Sequence, residues 1–178
     1  YNHDYDLNQS IKNCVSMCKN TLSHTYDEIK NIIEEYDFET FDVPTKNFVD
    51  IVKNVLDYSK QEQNIIDFDD MIWLPVIGKL SLTKYDFVFV DESQDLNKCQ
   101  TMLILGSCKK EGRIIFVYDV YQSLYRFRGA DPNVINTFVN VLKADVLDLP
   151  ITYRCPKRVV FEAQKIVPTY TCMPNAID

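Results

Sequence analysis

Apolar residues recur at helical spacing through the first sixty positions. Leu7, Ile11, Val15 and Cys18 form one such stripe, and Leu22, Tyr26, Ile29, Ile33 and Tyr36 form a second. A third comprises Phe48, Ile51, Val52, Val55 and Leu56, entered through Pro44 at a position suited to a first helical turn. These predict two or three short amphipathic helices. From residue 85 the pattern changes. Phe87-Val88-Phe89-Val90 is a continuous apolar run, as expected of a strand buried on both faces, and it stops at Asp91-Glu92. Asn97 can cap a helix that runs to about Gly106, a plausible C-terminal glycine. Ile114-Ile115-Phe116-Val117 predicts a second strand, ending before Asp119. Asp131-Pro132 predicts a helix start, with Val134, Phe138, Val141 and Leu142 as its buried stripe. Residues 146–149 read as a third strand, and Pro156 opens a last helix through Val159, Val160, Ala163 and Ile166.

Strand and helix alternate over about ninety residues, which predicts an α/β fold with a parallel sheet. Ligands of such sheets sit beyond the carboxyl ends of the strands. The three predicted strands lead to Asp91-Glu92, Asp119 and Tyr153-Arg154.

Composition narrows the chemistry. The chain has 178 residues, with 46% apolar and 25% charged positions, enough to build a core. No apolar run approaches the ~18 residues of a membrane span, so no membrane partner is expected. Only four glycines occur, well separated, which excludes both G-x-G-x-x-G and G-x-x-x-x-G-K-[ST] within these residues. The chain begins at Tyr1 and reads as an internal segment of a longer protein. Six cysteines without C-x-x-C spacing fit reduced, buried thiols in an intracellular protein better than a zinc site at Cys14 and Cys18. Richness in Asn, Ile, Asp, Lys and Tyr fits an AT-rich genome, such as that of a large DNA virus or a parasite. The net charge is −7, but it is uneven. Residues 1–96 hold 19 acidic and 8 basic side chains; residues 97–178 hold 7 and 11. Such asymmetry can mark a basic binding face on the second part, or simply a solvated acidic surface on the first.

A carboxylate at the end of a buried strand can hold Mg2+, and a second beside it can polarise a water for attack on a γ-phosphate. The dipeptide alone is weak evidence, but its surroundings are specific. Asp91-Glu92-Ser93-Gln94-Asp95-Leu96-Asn97 resembles motif II of the UvrD/Rep-like superfamily 1 DNA helicases. The run from Tyr118-Asp119 through Gln122-Ser123-Leu124-Tyr125-Arg126-Phe127-Arg128-Gly129-Ala130-Asp131 resembles motif III. Leu149-Pro150-Ile151-Thr152-Tyr153-Arg154-Cys155 resembles motif IV, and Asp67-Phe68-Asp69-Asp70-Met71 resembles the segment preceding motif II. The four occur in the family's order.

The resemblance implies a partial RecA-like parallel sheet with helices on both faces over residues 63–178. Residues 1–62 would belong to the helical insertion of the first motor domain. It implies a fragment, inactive by itself, of an enzyme that couples hydrolysis of ATP with Mg2+ to 3′–5′ movement on single-stranded DNA and strand separation, in DNA repair or replication. Asp91 and Glu92 would serve the metal, and Glu92 would activate the attacking water. Gln122 and Arg154 would contact the γ-phosphate, and Tyr153 would lie near the adenine. Tyr125 and Phe127 would meet DNA bases, with Arg128 linking DNA and nucleotide. Gln94 and Asp95 would couple motif II to its neighbours. In the family's sheet the phosphate-loop strand lies between those of motifs III and IV. Its absence here predicts a gap or an open apolar edge that favours self-association. Tyr118 stands where the family usually has Gly. Its side chain would reach towards the γ-phosphate side, which motivates an alternative: a non-catalytic DNA-binding or scaffolding relative.

Overall fold

The computed structural model describes residues 3–62, 64–123, 129–131 and 133–178. They divide into two compact units, Tyr1–Thr137 and Phe138–Asp178.

In the first unit, α1 (His3–Thr21), α2 (Tyr26–Glu35) and α3 (Thr45–Gln61) follow the three predicted stripes. Thr25 caps α2 through a reciprocal pair: its hydroxyl accepts from Glu28 N, and the Glu28 carboxylate accepts from Thr25 N at 2.9 Å. Pro44 immediately precedes α3. The core gathers Cys14, Val15, Met17 and Cys18 from α1, Ile29, Ile32 and Ile33 from α2, and Phe48, Val49, Val52 and Leu56 from α3. Each large side chain here is stabilised by about 1.5–3 kcal/mol through loss of water contact. Ile51 and Val55, read as part of the third stripe, lie at its rim. Trp73 of α4 (Asp70–Ile77) and Cys99 of α5 (Lys98–Ser107) complete the same cluster.

β1 (Tyr85–Val90) and β2 (Cys108–Phe116) form a two-stranded parallel sheet with α5 between them in sequence. The register pairs Tyr85 with Cys108, shifts, and then pairs Phe87 with Arg113 through Val90 with Phe116. Gly112 lies in the shifted stretch, where a Cβ would stand 3.0 Å from the carbonyl oxygens of both Tyr85 and Asp86. Asn97 caps α5 as the sequence predicts, reciprocally with Gln100. The helix runs one residue past Gly106, to Ser107. The apolar run 87–90 anticipates cover on both faces, yet only Val90 is buried. Phe87 and Phe89, on one face of β1, are 59% and 75% exposed.

The helix predicted from Asp131 is short. α6 (Val134–Asn136) gives way to a π-helical turn over Thr137–Val141. Asp131 accepts from Asn133 N at 2.8 Å, and Pro132 lies outside the described residues. In the second unit the strand expected at 146–149 is displaced. Leu147 and Leu149 are 87% and 84% exposed, and the strand is β3 (Ile151–Thr152), parallel to β4 (Thr171–Cys172). An apolar run becomes a strand only where a partner accepts its hydrogen bonds, and that partner, 171–172, aligns with 151–152. α7 (Lys157–Ala163) starts after Pro156 and buries Val160, whereas Val159 and Ile166 stay exposed.

Candidate nucleotide site at the ends of the parallel strands

β1 and β2 run in the same direction, so both deliver their following residues to one sheet end. Beyond the ladder, Val117 N donates to Val90 O at 2.8 Å, and the Ser93 amide and hydroxyl both donate to Val117 O, at 2.9 and 2.8 Å. Ser93 and Gln94 are thereby buried, while the intervening Asp91 and Glu92 turn out to solvent. Glu92 adopts the left-handed conformation, φ 50° and ψ 38°. A side-chain-bearing residue held there stores strain on the order of 1 kcal/mol, a feature that concentrates at functional sites. The Asp91 carboxylate accepts from Glu92 N at 3.0 Å and so helps to hold the turn.

Gln94 connects this turn to the next strand end. Its Nε2 donates to Glu92 Oε2 at 2.7 Å, and its Oε1 accepts from Asp119 N at 3.0 Å. Asp119 in turn accepts from Gln122 Nε2 at 2.6 Å and from Tyr121 N at 2.9 Å. Three side-chain hydrogen bonds therefore run from Glu92 through Gln94 and Asp119 to Gln122. The motifs assign Glu92 and Gln122 to the same phosphate; the structure places them at two ends of one hydrogen-bonded chain. Asp119, whose role in this chain the sequence did not single out, is its central link.

Tyr118 lies between Val117 and Asp119, half-buried. It is not among the residues with positive φ, so replacing the usual Gly imposes no left-handed strain. Asp91 and Glu92 are adjacent, exposed oxygen donors, and Mg2+ is held by one or two carboxylates plus water and phosphate oxygens rather than by a protein cage. The donor set fits that ion. Among the described residues no cluster of three or more His, Cys, Asp or Glu could hold a metal by itself.

In the second unit, Tyr153 and Arg154 are exposed on the turn after β3, where Thr152 Oγ1 accepts from the amides of Arg154 and Cys155 at 3.3 Å. Tyr125, Phe127 and Arg128 lie outside the described residues.

The three cysteines in the core, Cys14, Cys18 and Cys99, are buried; Cys108, Cys155 and Cys172 are half-buried. All six are free thiols. Burial, with a contribution from Asp69, pushes the Cys99 thiol up to about 11. The hydrogen bond with Cys14, together with burial, raises that of Cys18. These groups stay protonated and serve packing.

The family model described as the UvrD/REP helicase N-terminal domain matches residues 2–143. The chain belongs to the UvrD/Rep helicase family. It is 29% identical over 168 residues to ATP-dependent DNA helicase PcrA of Bacillus subtilis, which covers 89% of this chain and 22% of that protein. It is 32% identical over 135 residues to ATP-dependent DNA helicase Rep of Buchnera aphidicola, covering 68% and 20%. It is 30% identical over 111 residues to ATP-dependent DNA helicase PcrA of Staphylococcus aureus, covering 57% and 15%. The chain thus spans less than a quarter of the length of each of these relatives. All three are bacterial, and they lend no support to a viral or parasitic source. No helix among the described residues is long and apolar enough to cross a membrane.

Proposed function

We propose that the protein is an ATP-dependent DNA helicase. Residues 63–178 would supply the latter part of its first RecA-like domain and residues 1–62 part of that domain's helical insertion. The observation that carries this reading is the hydrogen-bonded chain Glu92–Gln94–Asp119–Gln122 at the ends of two parallel strands. Glu92 accepts a proton from water as the water oxygen bonds to the γ-phosphorus and the bond to the bridging oxygen breaks, releasing ADP. Gln122 contacts the γ-phosphate, and Arg154 offers planar donors to the developing charge. Tyr153 packs near the adenine. Asp91 and Glu92 would hold Mg2+, which when bound neutralises phosphate charge. Tyr125 and Phe127 stack with bases of single-stranded DNA, at about 1–3 kcal/mol per base, and Arg128 links them to the nucleotide. Movement runs 3′–5′, by family resemblance. The phosphate loop is not within these residues, so the chain by itself is inactive, and its exposed strand positions favour self-association.

The test is DNA-stimulated ATP hydrolysis by the full-length protein and its Glu92→Gln variant. Loss of the general base should lower kcat by about 10²–10⁴-fold. Equal rates of hydrolysis in the two proteins would sink the assignment of Glu92, and no hydrolysis by either would favour the non-catalytic relative.

A further inference from the structure

Of the residues from Asp91 to Asp95, the resemblance leaves only Ser93 without a role. Ser93 is fully buried, and both its amide and its hydroxyl donate to Val117 O, at 2.9 and 2.8 Å. The register of the sheet shows what is unusual in this. Its last pair is Val90 with Phe116. Continued by one step, it would set Asp91 opposite Val117, with Val117 N donating to Val90 O and Val117 O accepting from Glu92 N. The first of these bonds is present, at 2.8 Å. In place of the second, Val117 O accepts from Ser93 N, one residue further along the chain. Glu92 N donates to Asp91 Oδ1 instead, at 3.0 Å.

The chain leaving β1 therefore carries one extra residue, a bulge in a parallel pair, where bulges are uncommon. Glu92 absorbs it, at φ 50° and ψ 38°. The insertion breaks the alternation of a strand: Asp91 and Glu92 are both exposed, and Ser93 and Gln94 are both buried. Two adjacent carboxylates reach solvent together because of the extra residue. The regular ladder competes with this arrangement. It would relieve the left-handed strain at Glu92 and still satisfy Val117 O through the Glu92 amide. What it gives up is the bond from Ser93 Oγ to Val117 O.

We propose that Ser93 is a positioning residue for Glu92, and that its hydroxyl holds the bulge that sets the Glu92 carboxylate beside Asp91 at the strand end. This rests on the reading of Glu92 as the base that activates water. Being fully buried, Ser93 acts only through the backbone of its neighbour. The strain of one left-handed residue and the net worth of one hydrogen bond are of the same order, so this hydroxyl decides between the two registers. An alanine offers the same amide to Val117 O but nothing to offset the strain. The regular register, in which Asp91 and Glu92 point to opposite faces, then gains population.

The experiment measures kcat and KM for ATP in the full-length protein, with Mg2+ and saturating single-stranded oligodeoxythymidylate. Ser93→Ala should lower kcat about tenfold, the scale of one lost hydrogen bond. That is less than the fall expected for Glu92→Gln, because the base is still present. KM should stay within about twofold, since the change misplaces a group that acts on the attacking water. In the Glu92→Gln background, Ser93→Ala should alter the remaining kcat by less than about twofold, because no base is left to misplace. Thr25→Ala removes a cap hydrogen bond of similar worth from α2, away from the site, and should keep the wild-type kcat. Where Glu92→Gln is impaired, three results would each overturn the proposal: a wild-type kcat in Ser93→Ala, a further fall of about tenfold in the double variant, or an equal fall in Thr25→Ala. A wild-type rate in Glu92→Gln alone marks a different failure: the reading of Glu92 goes, and the proposal goes with it.

Discussion

Lys19 is a cation almost completely withdrawn from water, with a side chain 2% exposed. Its ammonium lies 2.8 Å from Asp67 Oδ2 and 2.8 Å from Asp70 Oδ1, and 5.7 Å from the centre of the Trp73 ring. Burial alone would push the Asp67 carboxyl up, but the Lys19 ammonium and the Asp70 amide hold it below its usual range. Removing one partner of a buried pair strands the other. Lys19→Met should therefore destabilise the protein by about 3–5 kcal/mol, and Lys19→Met with Asp70→Leu should recover much of that loss. Denaturant titration checks both, and a loss under about 1 kcal/mol for the single variant would contradict the burial. Gln94 poses the complementary case, where a neutral amide serves a charged group. Gln94→Glu keeps an acceptor for Asp119 N but sets a second carboxylate against Glu92. The two carboxylates repel, so the contact between positions 92 and 94 should be lost and ATP hydrolysis by the full-length protein should fall. An unchanged rate would mean that the Gln94 contact does not serve the proposed role of Glu92. Neither partnership is written in local spacing. Lys19 finds Asp67 and Asp70 about fifty positions away, and Gln94 finds Asp119 only because β1 and β2 pair in parallel.

At the scale of elements, the best-specified unit is α2. The amides of His24 and Thr25 donate to Glu28 and hold its carboxyl down at about 2. A depressed carboxyl pKa stabilises the fold at pH values above its unfolded value, and that contribution is lost as pH falls from there towards 2. Thr25→Ala should cost about 1 kcal/mol, and Glu28→Gln should flatten the acid side of the stability profile between about pH 4.5 and 2. Thermal unfolding across that window measures both. Helices of this kind were legible because their apolar period, caps and prolines agree: the three helices, the Asn97 cap and the start after Pro156 are where the sequence puts them, although Ile51, Val55, Val159 and Ile166 are exposed. Strand placement was less so. The run 146–149 has three apolar residues in four, against four in four at 114–117, and it lacks a partner in register. The apolar positions from Val134 to Leu142 fit an α-helix, but the backbone widens to a π turn after Asn136. The candidate site was legible as a set of motifs, because Asp91 and Glu92 follow directly on β1 and Gln122 lies in the turn beyond β2. Its wiring through Asp119 depends on contacts between segments far apart in the chain.

For the whole molecule, the proposed self-association turns on the apolar surface that the two-stranded sheet leaves open. Phe87 and Phe89 project from one face of β1, and each strand of the pair has one unpaired edge. The 178-residue chain exposes this face. Contiguous apolar surface of this kind drives association, while a net charge of −7 opposes it. The balance should therefore respond to salt. Sedimentation of the 178-residue chain should show concentration-dependent oligomers, more at 0.5 M than at 0.05 M salt, because screening weakens the repulsion but not the burial. Phe89→Glu should shift the population to monomer. Its stability should fall little, since Phe89 is already in water and loses no packing. A chain that is monomeric at every concentration, with Phe89→Glu indistinguishable from wild type, would show that the open sheet is tolerated without a partner.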